Sequence, residues 1–509
     1  MSICLIYDDR ADVSADIQAL LGVQKFSQVL YRKRTLLEHV RSLVREAGIP
    51  EFIHLHRDSD LADFSDKLHR SPAGAGDSSG VGVPTRRFLY YPSNVVPRRL
   101  EDARVFLQKL RYARRDIFIP VSDQELGTAG ADASLLLWVG ESRLRELLEP
   151  IAARDTPRVR RAAERSLASV GGAGDLTDLS RYDRFVEFLS SNFDVRHFNA
   201  VEHDALSVVK RSQDVAKIKR EYTFLSLVDG PVLPFFLKPF AYTEEVQSGV
   251  ATASYRLERL NVPDMAIQWV HGAFSLPEFH SFLDRLETYF RVRPMKPASA
   301  GEVAQAAQSL YAGKVEQRLE RLRTLPEYAL LEQMLARAAS PTSLADLAQR
   351  WQQLAQRIGP LDRSAALAFT HGDPCFSNIL YDRRVQQMKF IDPRGADTPE
   401  DLFGHPYYDA AKLSHSVLGA YDFINHNLFE LELDAGLRIS LTLAAPDLRE
   451  HQKAFATRMA ELGFDYRVMR LYEASLFLSM LPLHVDVPKK VVAFALTAGG
   501  ILDELEGMA

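Results

Sequence analysis

The segment AFTHGDPCFSNILYDRRVQQMKFIDPRG, residues 368 to 395, gathers the side chains of this chain best suited to chemistry. Asp373 follows His371 and Gly372, Asn378 comes five residues later, and the apolar run MKFI delivers Asp392. Moving a phosphoryl group onto a hydroxyl needs a carboxylate to accept the hydroxyl proton. It also needs hard oxygen ligands that hold magnesium across the nucleotide phosphates. The ordered set supplies both, with Asp373 as catalytic base and Asn378 and Asp392 as metal ligands. An ordinary acidic turn between two strands accounts for the aspartates but not for the whole set.

Local elements must bring these groups together. Asn378 to Tyr381 and Met388 to Ile391 read as the two strands of a hairpin, so the Asp373 loop and Asp392 meet at one face. His371 reads as a structural residue that bonds loop backbone. Further on, HPYYDAAKLSHS puts Asp409 at a helix start with Lys412 one turn later; taken alone, Asp409 is equally an N-cap.

The order of elements predicts what carries this loop. Residues 195 to 260 give short alternating segments: VRHFNAVE and ALSVVKRS as an antiparallel hairpin turning at His203-Asp204, then PFFLKPFAYT and ASYRLERL as two more strands. Between them DVAKIKREYTFLSLV forms a helix, with Val215, Ile218, Tyr222 and Leu225 on one face. LPEFHSFLDRLETYF, the stretch from Glu302 to Ile358 and the segments after Asp409 all read as helices. A small sheet holding one helix, followed by a large helical body, predicts an α+β two-lobed arrangement.

HGDPCFSNIL with FIDPRG resembles the signature of the aminoglycoside phosphotransferase and choline kinase superfamily, in which HGD-x4-N replaces the HRD-x4-N of protein kinases. The resemblance implies a bilobal protein-kinase-like domain that uses Mg2+ and ATP or GTP to phosphorylate a small-molecule acceptor. It further implies a small-lobe lysine that holds the nucleotide phosphates and a helix glutamate paired with it; Lys210, ending LSVVK, and Glu221 occupy those positions. Glu258 to Leu260 resemble the connector whose backbone meets the nucleotide base, so Glu258 and Leu260 are candidate cofactor contacts. Asp409 would brace the catalytic loop, and Arg394, His405 and Tyr408 would line the acceptor pocket. One departure is plain: RHFNAVEHDAL before Lys210 contains no G-x-G-x-x-G loop. The superfamily commonly lacks that loop too, which leaves backbone amides with Asn199 or Arg196 to meet the phosphates.

The first part of the chain reads differently. Ile3 to Tyr7, Phe52 to His56, Phe88 to Tyr91, Ile117 to Val121 and Leu135 to Val139 are short apolar runs alternating with helical patterns, which predicts an α/β domain with a largely parallel sheet. RTLLEHVRSLVREAGI is its clearest helix, stopped by Gly48. Ser71 to Pro84 and Gly171 to Gly174 are Gly-rich loops. The expected domains are 1–173 as the α/β domain, 174–263 as the small lobe and 264–509 as the helical large lobe.

The combination of HGDPCFSNILYD, FIDPRG and YYDAAKLSHSVLGAYDFI is similar to kinase domains encoded with surface-polysaccharide genes, some fused to a sugar nucleotidyltransferase-like domain. RTLLEHVRSLVREAGIPEFIHL is faintly similar to such a transferase, yet IYDDRADVSA stands where its G-x-G-x-R signature belongs. That loss implies either a degenerate, non-catalytic scaffold or a different α/β domain altogether, and a non-catalytic role is expected. Two other functions compete with a simple kinase. One is a bifunctional enzyme whose first domain still makes nucleotide sugars with Asp8, Asp9 and Arg10; the other is a kinase-like binding scaffold.

Bulk composition sets the outer limits. The chain has 509 residues, enough for two or three domains, with 46% hydrophobic and 25% charged residues and a net charge of −5. No basic face for nucleic acid is expected. The two cysteines, Cys4 and Cys375, have no metal-ligand spacing. MSICLIYDDRAD has neither a basic n-region nor a cleavage site, and no apolar run is long enough for a spanning helix, so a cytoplasmic protein without membrane insertion is expected. Oligomeric state is not legible.

Overall fold

The computed structural model describes residues 2–31, 34–70, 86–97, 100–110, 112–121, 134–169, 176–190, 199–203, 206–247, 249–340 and 342–508. The loops expected at Ser71 to Pro84 and Gly171 to Gly174, together with Arg196 and Asp204, lie outside these residues. Contacts divide the chain into two units, Met1–Asn192 and Phe193–Ala509.

In the first unit the run Ile3 to Tyr7 becomes β1 (Ser2–Asp8), parallel on one side to β2 (Glu51–Leu55) and on the other to β3 (Arg86–Pro92). Beyond β3 the direction changes. β4 (Ile117–Pro120) and β5 (Leu135–Gly140) are antiparallel to each other, β5 is antiparallel to β3, and β6 (Ala168–Ser169) runs parallel to β4. The sheet order is β2-β1-β3-β5-β4-β6. The largely parallel sheet expected from the sequence is therefore a mixed one. An unbroken apolar run signals burial on both faces, and Leu135 to Val139 meets that condition while running antiparallel.

Helices cover both faces. α1 (Leu36–Glu46) starts with a capping box in which Thr35 Oγ1 accepts the Glu38 N–H at 3.2 Å and Glu38 accepts the Thr35 N–H at 2.7 Å. Its Val40, Leu43 and Val44 pack against Leu5, Leu89 and Trp138. On the opposite face Cys4, Phe88, Leu137 and Val139 meet Leu61, Phe64 and Leu68 of α2 (Asp58–Arg70) and Leu144, Leu147 and Leu148 of α3 (Glu141–Ala152). α4 (Tyr182–Ser190) also belongs to this unit: the Phe188 ring stacks on Tyr31 at 4.3 Å and Phe185 meets Phe26 edge-on. The segment after Gly174, expected to open the small lobe, thus packs on the first unit, because its aromatic residues complete that core.

The second unit opens with the hairpin β7 (Asn199–His203) and β8 (Ser207–Ser212), followed by α5 (Val215–Leu227), whose N-terminus Asp214 caps by accepting the Lys217 N–H at 3.0 Å. β9 (Pro239–Gln247) and β10 (Val250–Glu258) complete an antiparallel sheet in the order β7-β8-β10-β9. The strand expected over PFFLKPFAYT begins only at Pro239. Gly230–Phe235 winds as a 3₁₀ turn, where Pro231 and Pro234 offer no donors to a ladder.

The remaining body is mostly helical. It contains α6 (Leu276–Val292), a short strand β11 (Met295–Pro297), α7 (Gly313–Arg323) and α8 (Leu344–Ile358). Then come β12 (Ala366–Phe369), the hairpin β13 (Ile379–Asp382) and β14 (Gln387–Phe390), and β15 (Phe403–Gly404). α9 (Tyr407–Val417) follows directly. The chain after Asp409 is not helical throughout: β16 (Phe429–Leu433) and β17 (Ile439–Leu443) form a further hairpin, in keeping with the apolar-charged alternation of FELEL. α10 (Tyr466–Met480) is buried almost all round and packs on α9 and on α11 (Pro488–Met508). No helix among the described residues is long and apolar enough to cross a membrane.

Candidate active site

β12, held between β11 and β15, feeds the chain into the loop that begins at His371. Asp409, at the start of α9, fastens that loop from below. Its carboxylate accepts the His371 N–H at 2.9 Å, the Gly372 N–H at 3.0 Å and the Tyr289 hydroxyl of α6 at 2.9 Å. Gly372 has φ +83°, and a Cβ there would stand 2.6 Å from Arg394 Cβ, so the loop passes Arg394 only with glycine.

His371 ties the loop to the hairpin. Its Nδ1 accepts the Asp373 N–H at 3.2 Å, which leaves the proton on Nε2 to be donated to the Ile391 carbonyl at 2.9 Å. Burial lowers its pKa despite the charges of Asp409 and Asp373. It is a neutral strut between the Asp373 and Asp392 segments, as its sequence position suggests. The hairpin closes the same ring: the Ile391 N–H donates to the Asn378 carbonyl at 3.0 Å, and Asn378 Nδ2 donates to the Asp373 carbonyl at 2.8 Å. That bond orients the Asn378 amide, with Oδ1 as its remaining acceptor.

Lys210 links the sheet to the hairpin. Its Nζ donates to Glu221 Oε2 at 2.6 Å and to Asp392 Oδ1 at 2.9 Å. The lysine side chain is 8% exposed and that of Glu221 3%, whereas the side chain of Asp392 is 45% exposed. Burial alone would discharge Lys210, but Asp392 and Glu221 outweigh it and hold its pKa above the usual lysine value. Asp392 is pushed up by burial and more strongly down by Lys210, so it stays ionised below the usual carboxylate range. Burial raises Glu221 in spite of Lys210.

Two features of this triad escape sequence reasoning. Glu221 lies on the buried face of α5 with Ile218, Phe224 and Leu225, where Tyr222 was expected. Tyr255, the cross-strand neighbour of Lys210, donates its hydroxyl to Glu221 Oε2 at 3.1 Å. The register between β8 and β10 is the only signal that could have found it. The Asp392 corner is unusual in its backbone: Asp392 has φ +58° and Gly395 φ +90°. A Cβ on Gly395 would stand 2.9 Å from Arg220 Cβ, and the Ala396 N–H donates to the Arg220 carbonyl at 3.0 Å, so this corner leans directly on α5 beside Glu221.

Asp373 pairs with Lys412, whose Nζ stands 2.9 Å from Oδ1. Burial raises the pKa of Asp373, and Lys412 more than offsets it, leaving the carboxyl below its usual value. Lys314 adds to the same field while donating to the Tyr408 hydroxyl at 3.2 Å.

The other sequence candidates are placed less favourably. Glu258 is exposed at the end of β10 opposite Ser207, and Leu260 is half-buried just beyond it. Arg394 is exposed beside Gly372. His405 and Tyr408, expected to line the acceptor pocket, are 1% and 3% exposed. His405 Nε2 stands 3.1 Å from Asp362, and its ring meets Tyr311 and Tyr472. Residue type could not separate a pocket wall from a buried brace. A cleft of about 820 Å³ lined by Arg293, Arg363, Tyr407 and Arg467 holds none of the catalytic candidates. Volume alone does not locate the chemistry. Asn199 lies in β7.

In the first unit Asp8 and Arg10 are paired with each other. Arg10 donates Nε to Asp8 Oδ1 and Nη2 to Asp8 Oδ2, both at 2.8 Å, and also to the Ile151 carbonyl at 2.8 Å; Tyr90 donates to Asp8 at 2.7 Å.

No protein-family model matches the chain, and no curated protein does. Among solved structures it is similar to one described as the GDP and kanamycin complex of APH(2")-IIia, at 10% identity and a TM-score of 0.32, covering 64% of this chain and 98% of that one. A likeness this loose assigns no activity.

Proposed function

We propose that the second unit is a magnesium-dependent phosphotransferase that moves the terminal phosphoryl group of ATP or GTP to a hydroxyl of a small polar metabolite. The observation that carries this reading is the bridge of Lys210 to Glu221 and Asp392, within one hydrogen-bonded loop system that also contains Asp373 and Asn378. A buried lysine clamped by two carboxylates and opening onto a half-exposed aspartate is an expensive arrangement for stability alone. It is the arrangement phosphoryl transfer uses.

Each residue then has a task. Lys210, aligned by Glu221 and Tyr255, binds phosphate oxygens. Asn378 Oδ1 and the Asp392 carboxylate are hard oxygen donors on partly exposed side chains and fit a magnesium ion. Magnesium, when bound, neutralises the charge of the transferred group. Asp373 accepts the proton of the acceptor hydroxyl as the new oxygen–phosphorus bond forms and the bond to the nucleoside diphosphate breaks. His371 and Asp409 position the loop, Glu258 and Leu260 are assigned to the nucleotide base, and Arg394 to the acceptor.

The acceptor class we favour is a sugar or sugar-like compound of surface-polysaccharide assembly, handled in the cytoplasm. The first unit is read as a degenerate nucleotidyltransferase-like domain without catalysis, in line with its closed Asp8–Arg10 pair. The test has two steps: calorimetric titration with ATP and GTP, with and without magnesium, then transfer of labelled γ-phosphate to neutral sugars, amino sugars and amino alcohols. Magnesium-dependent nucleotide binding and one phosphomonoester product are expected. Absence of magnesium-dependent nucleotide binding would end the enzymatic reading and leave a binding scaffold.

A further inference from the structure

Asp9, His54 and His56 form a cluster in the first unit that has no part in the phosphotransfer reading. Asp9 follows β1 directly, and its N–H donates to the Leu55 carbonyl at 2.9 Å, which sets it beside the end of β2. His54 and His56 lie two residues apart there, as a strand requires of side chains that share a face. The result is a carboxylate and two imidazoles at the C-terminal edge of parallel strands β1 and β2, the edge at which α/β sheets receive ligands.

The distances decide between a hydrogen bond and a shared ion. Asp9 Oδ2 stands 3.4 Å from His54 Nε2 and 3.6 Å from His56 Nδ1, and the three ligand atoms all lie within 4.8 Å of one another. A good hydrogen bond between such groups spans roughly 2.7–3.2 Å. Two ligand atoms at a tetrahedral centre, each about 2.0–2.2 Å from a zinc ion, stand about 3.3–3.5 Å apart. The two separations measured from Asp9 Oδ2 lie closer to the second case, with His54 Nε2 at 3.4 Å also within reach of a long hydrogen bond to the carboxylate.

The surroundings complete the picture. The Asp9 side chain is fully buried, and among the described residues its ion-pair partners are these two imidazoles. The carboxylate is oriented from behind by the Ser27 N–H, which faces Oδ1 at 3.4 Å. Outer partners of this kind fix a ligating carboxylate. His54 is 23% and His56 48% exposed, so an ion could enter from solvent.

We infer that the first unit binds a borderline divalent transition-metal ion of the zinc class through Asp9 Oδ2, His54 Nε2 and His56 Nδ1, with at least one coordination position left to water or a ligand. Two imidazoles and one carboxylate select such an ion over magnesium, which prefers oxygen donors. The inference stands apart from the phosphotransfer reading, because it concerns the other unit.

The test uses the full chain freed of metal by a chelator and titrated with cobalt(II) under excess magnesium, which occupies oxygen sites without competing for imidazole. One equivalent of cobalt is expected to give a ligand-field absorption band that zinc displaces. His56→Ala, at a half-exposed position, should weaken zinc binding by more than about a hundredfold, beyond what loss of an outer partner costs. His54→Ala should do the same, and Asp392→Asn should leave the band unchanged. A wild-type protein without the band, or a band and zinc affinity unaltered in His56→Ala, would overturn the site.

Discussion

Lys412 Nζ stands 2.9 Å from Asp373 Oδ1, with 18% of the lysine side chain and 41% of the aspartate side chain exposed. The proposed base is therefore charged by a partner from α9 yet open to an incoming hydroxyl. Burial favours the protonated acid, and Lys412 outweighs it. Lys412→Met should raise the Asp373 pKa, because burial then acts without its counter-charge. A base that becomes protonated at higher pH loses activity there, so the acid limb of kcat/KM should move to higher pH. A pH profile superimposable on wild type would remove Lys412 from this role.

Asp373→Asn keeps the shape of the loop, because the contacts that order it run through the Asp373 backbone N–H and carbonyl. Turnover should fall by roughly 10²–10⁴-fold, the usual contribution of a positioned base. Magnesium-dependent nucleotide affinity should stay within a few-fold of wild type. Labelled phosphate transfer and calorimetry on the same preparation measure both quantities, and full turnover in the variant would defeat the assignment.

Lys210→Met leaves Glu221 buried against Tyr255 with its main counter-charge gone. Removing one partner of such a pair costs about 3–5 kcal/mol, which urea unfolding at neutral pH should register. The pH dependence has a definite sign. Glu221 has a folded pKa above its ordinary value, so its contribution to stability is present at low pH and is lost as pH rises through the folded pKa. Without Lys210 that loss deepens, and the gap between variant and wild type should narrow on acidification. A gap that widens at low pH would contradict the pairing.

His371→Phe tests the neutral strut. A phenyl ring fits among Phe224, Phe236 and Phe390, but it leaves the Asp373 N–H and the Ile391 carbonyl without their partner. A loss of about 1–3 kcal/mol is expected. Because the folded pKa of His371 is depressed, its contribution is present above the unfolded pKa and is lost as pH falls. Stability of the variant should consequently decline less steeply on acidification than that of wild type. Parallel unfolding curves at several pH values decide it.

How much of this was readable beforehand depends on whether a residue acts through local order or through distant packing. The β13–β14 hairpin, the His371 strut and the hydrogen bonds that tie the Asp373 loop to Asn378 and Ile391 all follow from offsets within one short segment. Lys210 and Glu221 are separated by a single strand-to-helix turn, and their pairing was legible for the same reason. Tyr255 and Tyr289 reach the site from other elements, so only the folded registers reveal them. The burial of His405 was not legible because nothing local announces Asp362, beside which it lies. In the first unit, Leu135 to Val139 shows burial without direction, and the same apolar run serves a parallel or an antiparallel strand.

The left-handed corner at Asp392 and Gly395 has a further consequence. Such dihedrals persist only where neighbouring groups enforce them, and here Arg220, Ile391 and His371 do so. The carboxylate is consequently aimed by main-chain shape, independently of the proposed magnesium ion. A ligand that docks there meets a finished corner and gives up none of its affinity to bend one.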